Sequence, residues 1–312
     1  MKAFIPIDIT DAMLISSTIA EPDVAEPLYD PDDTYAEFAL VSVISTNSHL
    51  VFESLVNDNR GNNPLTTNSE VLRENAKWIR RSYTNRFRMF DWNQGNPSVA
   101  QSPATVVLRP GKRIDALMLE GLKAALVDVT IRNGMGGDVA FTLDGYLLAR
   151  NLSRFTEFFY APFIYIKSVV TFEIPQIPDP VIYLTLSDPS GTVELSRFAF
   201  GRSIYLGPIQ WNPVADSDNY SEVTRDKFGR ATLTPIPSTP LVEVKLEPDA
   251  NRTNAIRQFK EQTDARAVVW SALDDIDIPY RESLAVIGVW DNFSIDIGNN
   301  EFTILNLSLK GI

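Results

Sequence analysis

Cysteine is absent from the 312-residue chain, and histidine occurs only once, as His49. Without cysteine the chain can form neither a disulfide nor a zinc site with thiolate ligands. A catalytic triad that needs an imidazole would have to use His49. This histidine lies in the run SHLVFESL, whose alternation is typical of a β-strand. We therefore expect His49 to be a packed or solvated strand residue rather than a catalyst.

Long hydrophobic runs are also missing. No apolar run approaches the roughly 20 residues that a membrane-spanning helix needs, and Pro6, Asp8 and Asp11 interrupt the first apolar residues in a way that breaks a signal-peptide core. The sequence thus predicts a protein made in the cytoplasm, with no secretion signal and no membrane insertion. We expect residues 1–20 to form an edge strand or an arm that orders against a partner.

Basic residues are scarce in the first part of the chain. Residues 1–70 contain twelve Asp and Glu residues, against Lys2 and Arg60 alone. The formal net charge of the whole chain is −12, which should repel phosphates, so we expect no nucleic acid among its partners. Between residues 73 and 91 the sign reverses, with six basic residues against two acidic ones. An acidic module can be attracted to such a neighbour at short range; separate solvation of these charges is the alternative.

Strand-like segments recur from residue 99 to residue 207, separated by turns that contain Gly, Pro and Asn. Among them, Val127, Val129 and Ile131 alternate with polar residues, as in a strand with one buried face. This spacing, without intervening helices, predicts a jelly-roll-like β-sandwich.

The flanking regions differ from this pattern. Residues 38–56 predict a β-hairpin that turns at residues 46–48, and residues 216–233 look like a polar loop leading into a strand. Further on, Ile256, Phe259 and Thr263 recur at helical spacing, which predicts a helix followed by strands. We expect its N-cap at Asp249 or Asn251. We predict a mainly β protein of three domains: an acidic arm and small β module (1–80), the sandwich (81–208) and a C-terminal α+β domain (209–312).

Residues 82–91, SYTNRFRMFD, which we call the seam, join the predicted N-terminal module to the sandwich. On an extended chain Arg86 and Arg88 would share one face, and Phe87 and Met89 the other. The arginines could then form ion pairs with acids of the module or of a neighbouring subunit, and nearby aromatic rings could pack in a core or stack on sugars. The candidate interface or glycan-binding residues are Trp78, Tyr83, Arg86, Arg88 and Trp92.

No catalytic motif stands out. The sequence contains no GxSxG, no HExxH and no phosphate-binding glycine loop followed by lysine. The acids at 274–277 could form a glycosidase pair or bind Ca²⁺, and those at 30–33 could bind Ca²⁺, but solvated carboxylates are the simpler interpretation in so acidic a chain. We expect no enzymatic activity and no cofactor.

Three strings, in the right order, resemble a family of tailed-bacteriophage virion proteins found in tails and tail tips. LYDPDDTYAEFALVSV, with the residues up to AKWIR, is similar to the small carbohydrate-binding-like module that often opens these proteins. YTNRFRMFD is the family's most distinctive string, and the strands that follow it are similar to discoidin-like jelly rolls. The third string is ESLAVIGVWDNFSIDI with FTILNLSLKGI. Ala36-Glu37-Phe38 stands where the module usually has a Gly-Asp turn, which favours a docking role there over sugar binding.

The resemblance implies a structural component of a phage tail, near the tip or baseplate, that assembles with other tail proteins and anchors fibres. Such a protein would be a homo-oligomer in the particle and would reside in the virion after synthesis in the host cytoplasm. The alternative is a tail adhesin that binds a host receptor or cell-surface glycan. A third reading, a polysaccharide depolymerase, needs two carboxylates facing each other across a groove.

Overall fold

The computed structural model describes residues 1–46, 48–92, 95–149, 155–210, 212–272, 284–297 and 303–312. Two α-helices occur in these ranges, α1 (Glu157–Tyr160) and α2 (Thr253–Gln262), with short 3-10 turns at Asp11–Met13, Arg88–Phe90 and Ala250–Arg252. No helix in the described ranges is long and apolar enough to cross a membrane. The strands are β1 (Lys2–Pro6), β2 (Leu14–Ser17), β3 (Thr34–Tyr35), β4 (Leu40–Ser45), β5 (Ser48–Ser54), β6 (Asn59–Arg60), β7 (Trp78–Tyr83), β8 (Ser98–Gln101), β9 (Ala104–Leu108), β10 (Ala116–Glu120), β11 (Leu126–Asn133), β12 (Val139–Tyr146), β13 (Leu148–Ala149), β14 (Ile164–Tyr165), β15 (Ser168–Thr171), β16 (Pro180–Ser187), β17 (Thr192–Leu195), β18 (Arg197–Tyr205), β19 (Val214–Asp218), β20 (Glu222–Arg225), β21 (Ala231–Thr234), β22 (Thr239–Leu246), β23 (Val268–Ser271), β24 (Ala285–Asp296) and β25 (Ile304–Gly311).

Two antiparallel sheets dominate the fold. The larger has nine strands in the order β15-β10-β18-β1-β23-β24-β25-β22-β19, and the smaller has five in the order β12-β11-β16-β9-β2. We call these two sheets, with α2, the trunk. The other strands form a three-stranded sheet, β4-β5-β7, and the pairs β3-β6, β8-β17, β13-β14 and β20-β21.

The sandwich core lies between the five-stranded sheet and one end of the nine-stranded sheet. Strand β11 directs Val127, Val129 and Ile131 into this core, as their alternation predicts, and β10 contributes Leu117 and Leu119 from the opposite sheet. Burying one apolar face from each sheet is what stabilises a β-sandwich. The predicted mainly β fold with a sandwich is confirmed.

Within residues 1–20, where we expect an edge strand or a partner-dependent arm, β2 is an edge strand of the five-stranded sheet. Strand β1 instead lies in the middle of the nine-stranded sheet, so the expectation is wrong for residues 2–6. It pairs with β18 through residues 2–6 and with β23 through residues 2–4. Ala3 and Phe4 are completely buried, in different cores. Pro6 suggested an exposed segment, but it is the last residue of the strand and lies beyond the pairing with β23.

The C-terminal strands continue the same sheet. Ile256, Phe259 and Thr263 of the predicted helix are buried, and the Phe259 ring lies edge-on to Trp270, 5.9 Å between centroids. The predicted cap is wrong, since a 3-10 turn precedes α2 and Asp249 makes no side-chain capping bond. The predicted division into residues 1–80, 81–208 and 209–312 remains a prediction; strands from all three ranges share this one sheet.

The N-terminal module, which we call the head (residues 21–83, with β3 to β7), contains the predicted hairpin. Strands β4 and β5 pair from Leu40↔Glu53 to Ser45↔Ser48, around a turn whose residue 47 lies outside the described residues. Residues 216–233, expected to be a polar loop leading into a strand, instead contain the end of β19 and the hairpin β20-β21. Both strands of that hairpin are exposed along their whole length.

Candidate functional site

The seam is a compact turn rather than an extended ribbon. Strand β7 ends at Tyr83, after which the backbone N–H groups of Phe87 and Arg88 both donate to the Thr84 carbonyl, at 2.8 and 3.0 Å. A 3-10 turn at Arg88–Phe90 follows. The predicted sharing of one face by alternate residues is therefore wrong, because side-chain alternation holds only for extended backbone.

Arg86 nevertheless forms an ion pair with an acid of the N-terminal segment. Its Nη1 lies 3.2 Å from Glu21 Oε2, and its Nε donates to the carbonyl of Ile19 at 2.9 Å. The Glu21 side chain is only 4% exposed. Its other oxygen, Oε1, accepts hydrogen bonds from the Thr84 hydroxyl and from His49 Nδ1. A buried carboxylate is tolerated when it is paired and hydrogen-bonded in this way.

Arg88 forms the second ion pair, with Glu26. Its Nη2 contacts Glu26 Oε1, its Nε donates to the Tyr83 carbonyl at 3.2 Å, and both side chains are largely buried. Burial lowers the pKa of Arg88, while the negative charge of Asp23 acts in the opposite direction. The guanidinium still carries its charge at neutral pH. Glu26 Oε2 has no hydrogen-bond donor among the described residues, which makes Arg88 the main compensation for this carboxylate.

His49 lies between two carboxylates. Its Nδ1 is 2.7 Å from Glu21 Oε1 and its Nε2 is 2.7 Å from Asp11 Oδ1, so each ring nitrogen faces a carboxylate oxygen. The ring also stacks on Phe87 at 3.8 Å between centroids. Because a carboxylate occupies each ring nitrogen, neither nitrogen faces a nucleophilic hydroxyl as the base of a Ser-His-Asp triad does.

The seam contacts the trunk through other side chains. Met89 is 1% exposed in the sandwich core, and its backbone N–H donates to Ser98 Oγ at 2.9 Å. The Phe90 ring stacks on Phe198 of β18, 6.0 Å between centroids. Asn85 exchanges two hydrogen bonds of 2.8 Å with the backbone of Val99. The seam therefore contacts both the head and the trunk, as its composition predicts.

Trp78 has no exposed face on which a sugar could stack. It is completely buried in the head core, its Nε1 donates to the Asn62 carbonyl at 2.8 Å, and the rings of Tyr29 and Tyr35 lie edge-on to it. Its role is packing, which is where a large aromatic side chain contributes most of its free energy.

Tyr83 and Trp92 are half-buried and share a small cleft at the seam. Its volume is about 140 Å³, whereas typical ligand pockets start near roughly 300 Å³. Aromatic faces beside carboxylates are groups that can contact a sugar. The other lining residues are Pro6, Ile7, Asp8, Ile9, Phe87, Phe90, Asp91 and Phe198.

The described residues contain no group of three or more His, Asp or Glu side chains placed to hold a metal ion. The acids at 274–277, considered for a glycosidase pair or for Ca²⁺, lie outside the described residues. The acids at 30–33 lie in an exposed turn in which the Asp32 N–H donates to Asp30 Oδ1 at 2.9 Å.

Sequence reasoning missed the cluster of Asp11, Glu21, His49 and Thr84. These residues lie up to 73 positions apart in the numbering, and no local pattern links them. The one available signal was the isolated histidine in a chain rich in carboxylates. Comparison of the sequence with protein-family models and with curated proteins found no match.

Proposed function

We propose that this protein is a structural component of a bacteriophage tail, in the tip or baseplate region, where it assembles with other tail proteins and anchors fibres. The observation that carries the proposal is the seam, the string most distinctive of the family that the chain resembles. Its ion pairs and its apolar side chains connect an acidic head to a β-sheet trunk. A subunit that transmits force between neighbours needs such a connection, because a loosely tethered head would move independently of the trunk.

The trunk supports the same role. Nine strands from the beginning, middle and end of the chain form one continuous sheet, so the packed body resists local deformation. In a tail, symmetry would repeat each modest contact of this body around the axis. The protein would be made in the host cytoplasm and would be present in the virion.

The test is to locate the protein in particles. Phage purified from lysed host cells should contain this chain by mass spectrometry, and gold-labelled antibodies against it should mark one end of the tail. Purified particles without the chain, or label on the capsid, would overturn the proposal. Particles carrying Arg86→Glu should form in lower yield, and wild-type yield from that variant would count against the seam as the structural connection.

The alternative function is an adhesin, favoured by one observation: Tyr83 and Trp92 line the same cleft with Asp8 and Asp91. A Tyr83→Ala/Trp92→Ala variant would lose binding to host cells or to their purified polysaccharide if this cleft holds a glycan. Trp78→Phe serves as the matched control because Trp78 is buried in the head core. Equal binding by both variants would exclude adhesion through this cleft.

A further inference from the structure

A basic groove lies on the trunk beside α2, and the charges in it have no ion-pair partner among the described residues. Lys112, Arg113 and Arg202 line a groove of about 580 Å³. All three side chains are exposed, and none forms an ion pair with a carboxylate of the described residues. In a chain of net charge −12 this is a local inversion of sign.

The groove has an apolar floor and a polar wall. Ile5 and Ile7 come from the first residues of the chain and Ile204 from β18, while Gln258 and Gln262 of α2 face them. A floor of this kind excludes water, and the amides can donate to or accept from a bound backbone.

The carboxylate that follows Lys112 and Arg113 in the sequence, Asp115, is already engaged. Asp115 Oδ1 accepts from the Ser203 backbone N–H at 2.6 Å, and its Oδ2 accepts from Gln176 Nε2 at 2.9 Å. On α2, Glu261 lies 3.9 Å from Arg257. Neither acid is paired with the three cations, so the groove presents an uncompensated positive field to a binding partner.

The head carries the complementary feature. Asp30, Asp32 and Asp33 lie in an exposed turn and form no ion pair with a cation of the described residues. The turn is held in shape, because the Asp33 N–H donates to the Asp30 carbonyl at 3.3 Å and the Asp30 N–H donates to the Tyr35 hydroxyl at 2.7 Å. A preorganised turn loses little conformational entropy on binding.

We propose that the basic groove of one copy binds the acidic turn at residues 30–33 of a second copy. The two surfaces lie on different parts of the molecule, so the contact is heterologous, and such contacts close into a ring when the rotation between subunits permits. This inference deepens the proposed function and rests on it only for the setting of the contact, a ring around a tail axis. Nucleic acid is the disfavoured occupant, because the net charge of the chain repels it.

The absence of cysteine makes the contact testable by site-specific cross-linking. Thr34→Cys places a thiol beside the acidic turn without removing a carboxylate, and Gln258→Cys places one on the wall of the groove. Mixing the two purified variants under mild oxidation should give a disulfide-linked heterodimer. The matched control is Thr34→Cys mixed with Val139→Cys, whose thiol lies on the exposed edge strand of the other sheet.

Charge reversal then identifies the interaction. Cross-linking should fall roughly tenfold at 0.5 M NaCl, since salt screens exposed charges. It should fall to a similar degree when Arg113→Glu/Arg202→Glu is added to the Gln258→Cys partner. Adding Asp32→Lys/Asp33→Lys to the Thr34→Cys partner should restore its cross-linking to the charge-reversed Gln258→Cys partner.

A cross-linking rate equal to the control, or one unchanged by charge reversal, would overturn the inference. Preferential capture by the groove of an acidic segment from another tail protein, rather than of this turn, would also overturn it. If the chain is found in the tail but the cross-link does not form, this inference is wrong and the proposed function stands. If the cross-link forms but the chain is absent from the tail, only the proposed function is wrong.

Discussion

Arg88→Met should destabilise the protein more than loss of any exposed ion pair. The variant keeps the length of the aliphatic stem but removes the charge that compensates Glu26, whose side chain is 7% exposed. Glu26 Oε2 has no donor among the described residues, so the variant leaves a buried carboxylate almost without a partner. Breaking a buried pair in this way costs about 3–5 kcal/mol, a large share of the roughly 5–15 kcal/mol by which native proteins are stable.

The matched control is the exposed pair of Arg109 and Asp179. It has two hydrogen bonds of 2.9 and 2.7 Å, but its arginine side chain is 49% exposed. Solvent screening weakens such an exposed pair, so Arg109→Met should lower the free energy of unfolding far less than Arg88→Met does.

The assay is urea unfolding followed by tryptophan fluorescence, with hydrogen exchange of residues 19–29 as a local measurement. The buried indole of Trp78 reports on the head core. The double variant Arg88→Met/Glu26→Met should recover most of the loss, because two apolar side chains can replace a buried pair at little cost. Equal effects of Arg88→Met and Arg109→Met, or no recovery in the double variant, would refute the role assigned to the pair.

Three further substitutions test other contacts. Arg86→Glu places a second carboxylate beside buried Glu21, so we expect a sharp fall in soluble folded protein; a normal yield with a wild-type circular dichroism spectrum would contradict it. Met89→Ala should cost about 2–5 kcal/mol through the cavity it leaves in the sandwich core, whereas Met89→Leu should cost less than about 1.5 kcal/mol in the same denaturant titration. Gly201→Ala would place a Cβ 2.5 Å from the carbonyl oxygen of Ile5; we expect a lower melting temperature, and an unchanged one would contradict the close approach of β1 and β18.

Local sequence patterns predicted the elements of the fold whose contacts join neighbouring segments. The alternation of Val127, Val129 and Ile131 predicted a half-buried strand, and the spacing of Ile256 and Phe259 predicted the face of α2; the structure has both. The hairpin of β4 and β5 also follows from adjacent sequence, because its pairing joins neighbouring segments.

Non-local pairing accounts for the errors. The place of β1 depends on partners near residues 201–205 and 269–271, far along the chain, and no periodicity in residues 1–20 encodes that choice. The hairpin β20-β21 looks like a loop in the sequence because its strands are largely polar. The clues were Gly229, with φ of +79°, and Asp226, which accepts the N–H groups of Phe228 and Arg230 at 2.8 and 2.9 Å.

The sequence predicted which kinds of residue meet at the candidate site, but not how they are arranged. The opposite charges of the head and the seam indicated their attraction, and Arg86 and Arg88 do pair with acids. The turn at residues 84–90 separates Phe87 from Met89, so that one ring stacks on His49 and the other side chain enters the trunk. Sequence spacing could not predict this, because it assumed an extended backbone.

The central position of β1 has a consequence for how the molecule is made. Its hydrogen-bond partners on one side, in β23, emerge from the ribosome more than 260 residues after it. Until then β1 has at least one open edge, and the nine-stranded sheet cannot be completed. We therefore expect chaperones to bind nascent chains that stop before residue 268, and release to follow once the last third of the sheet has been synthesised.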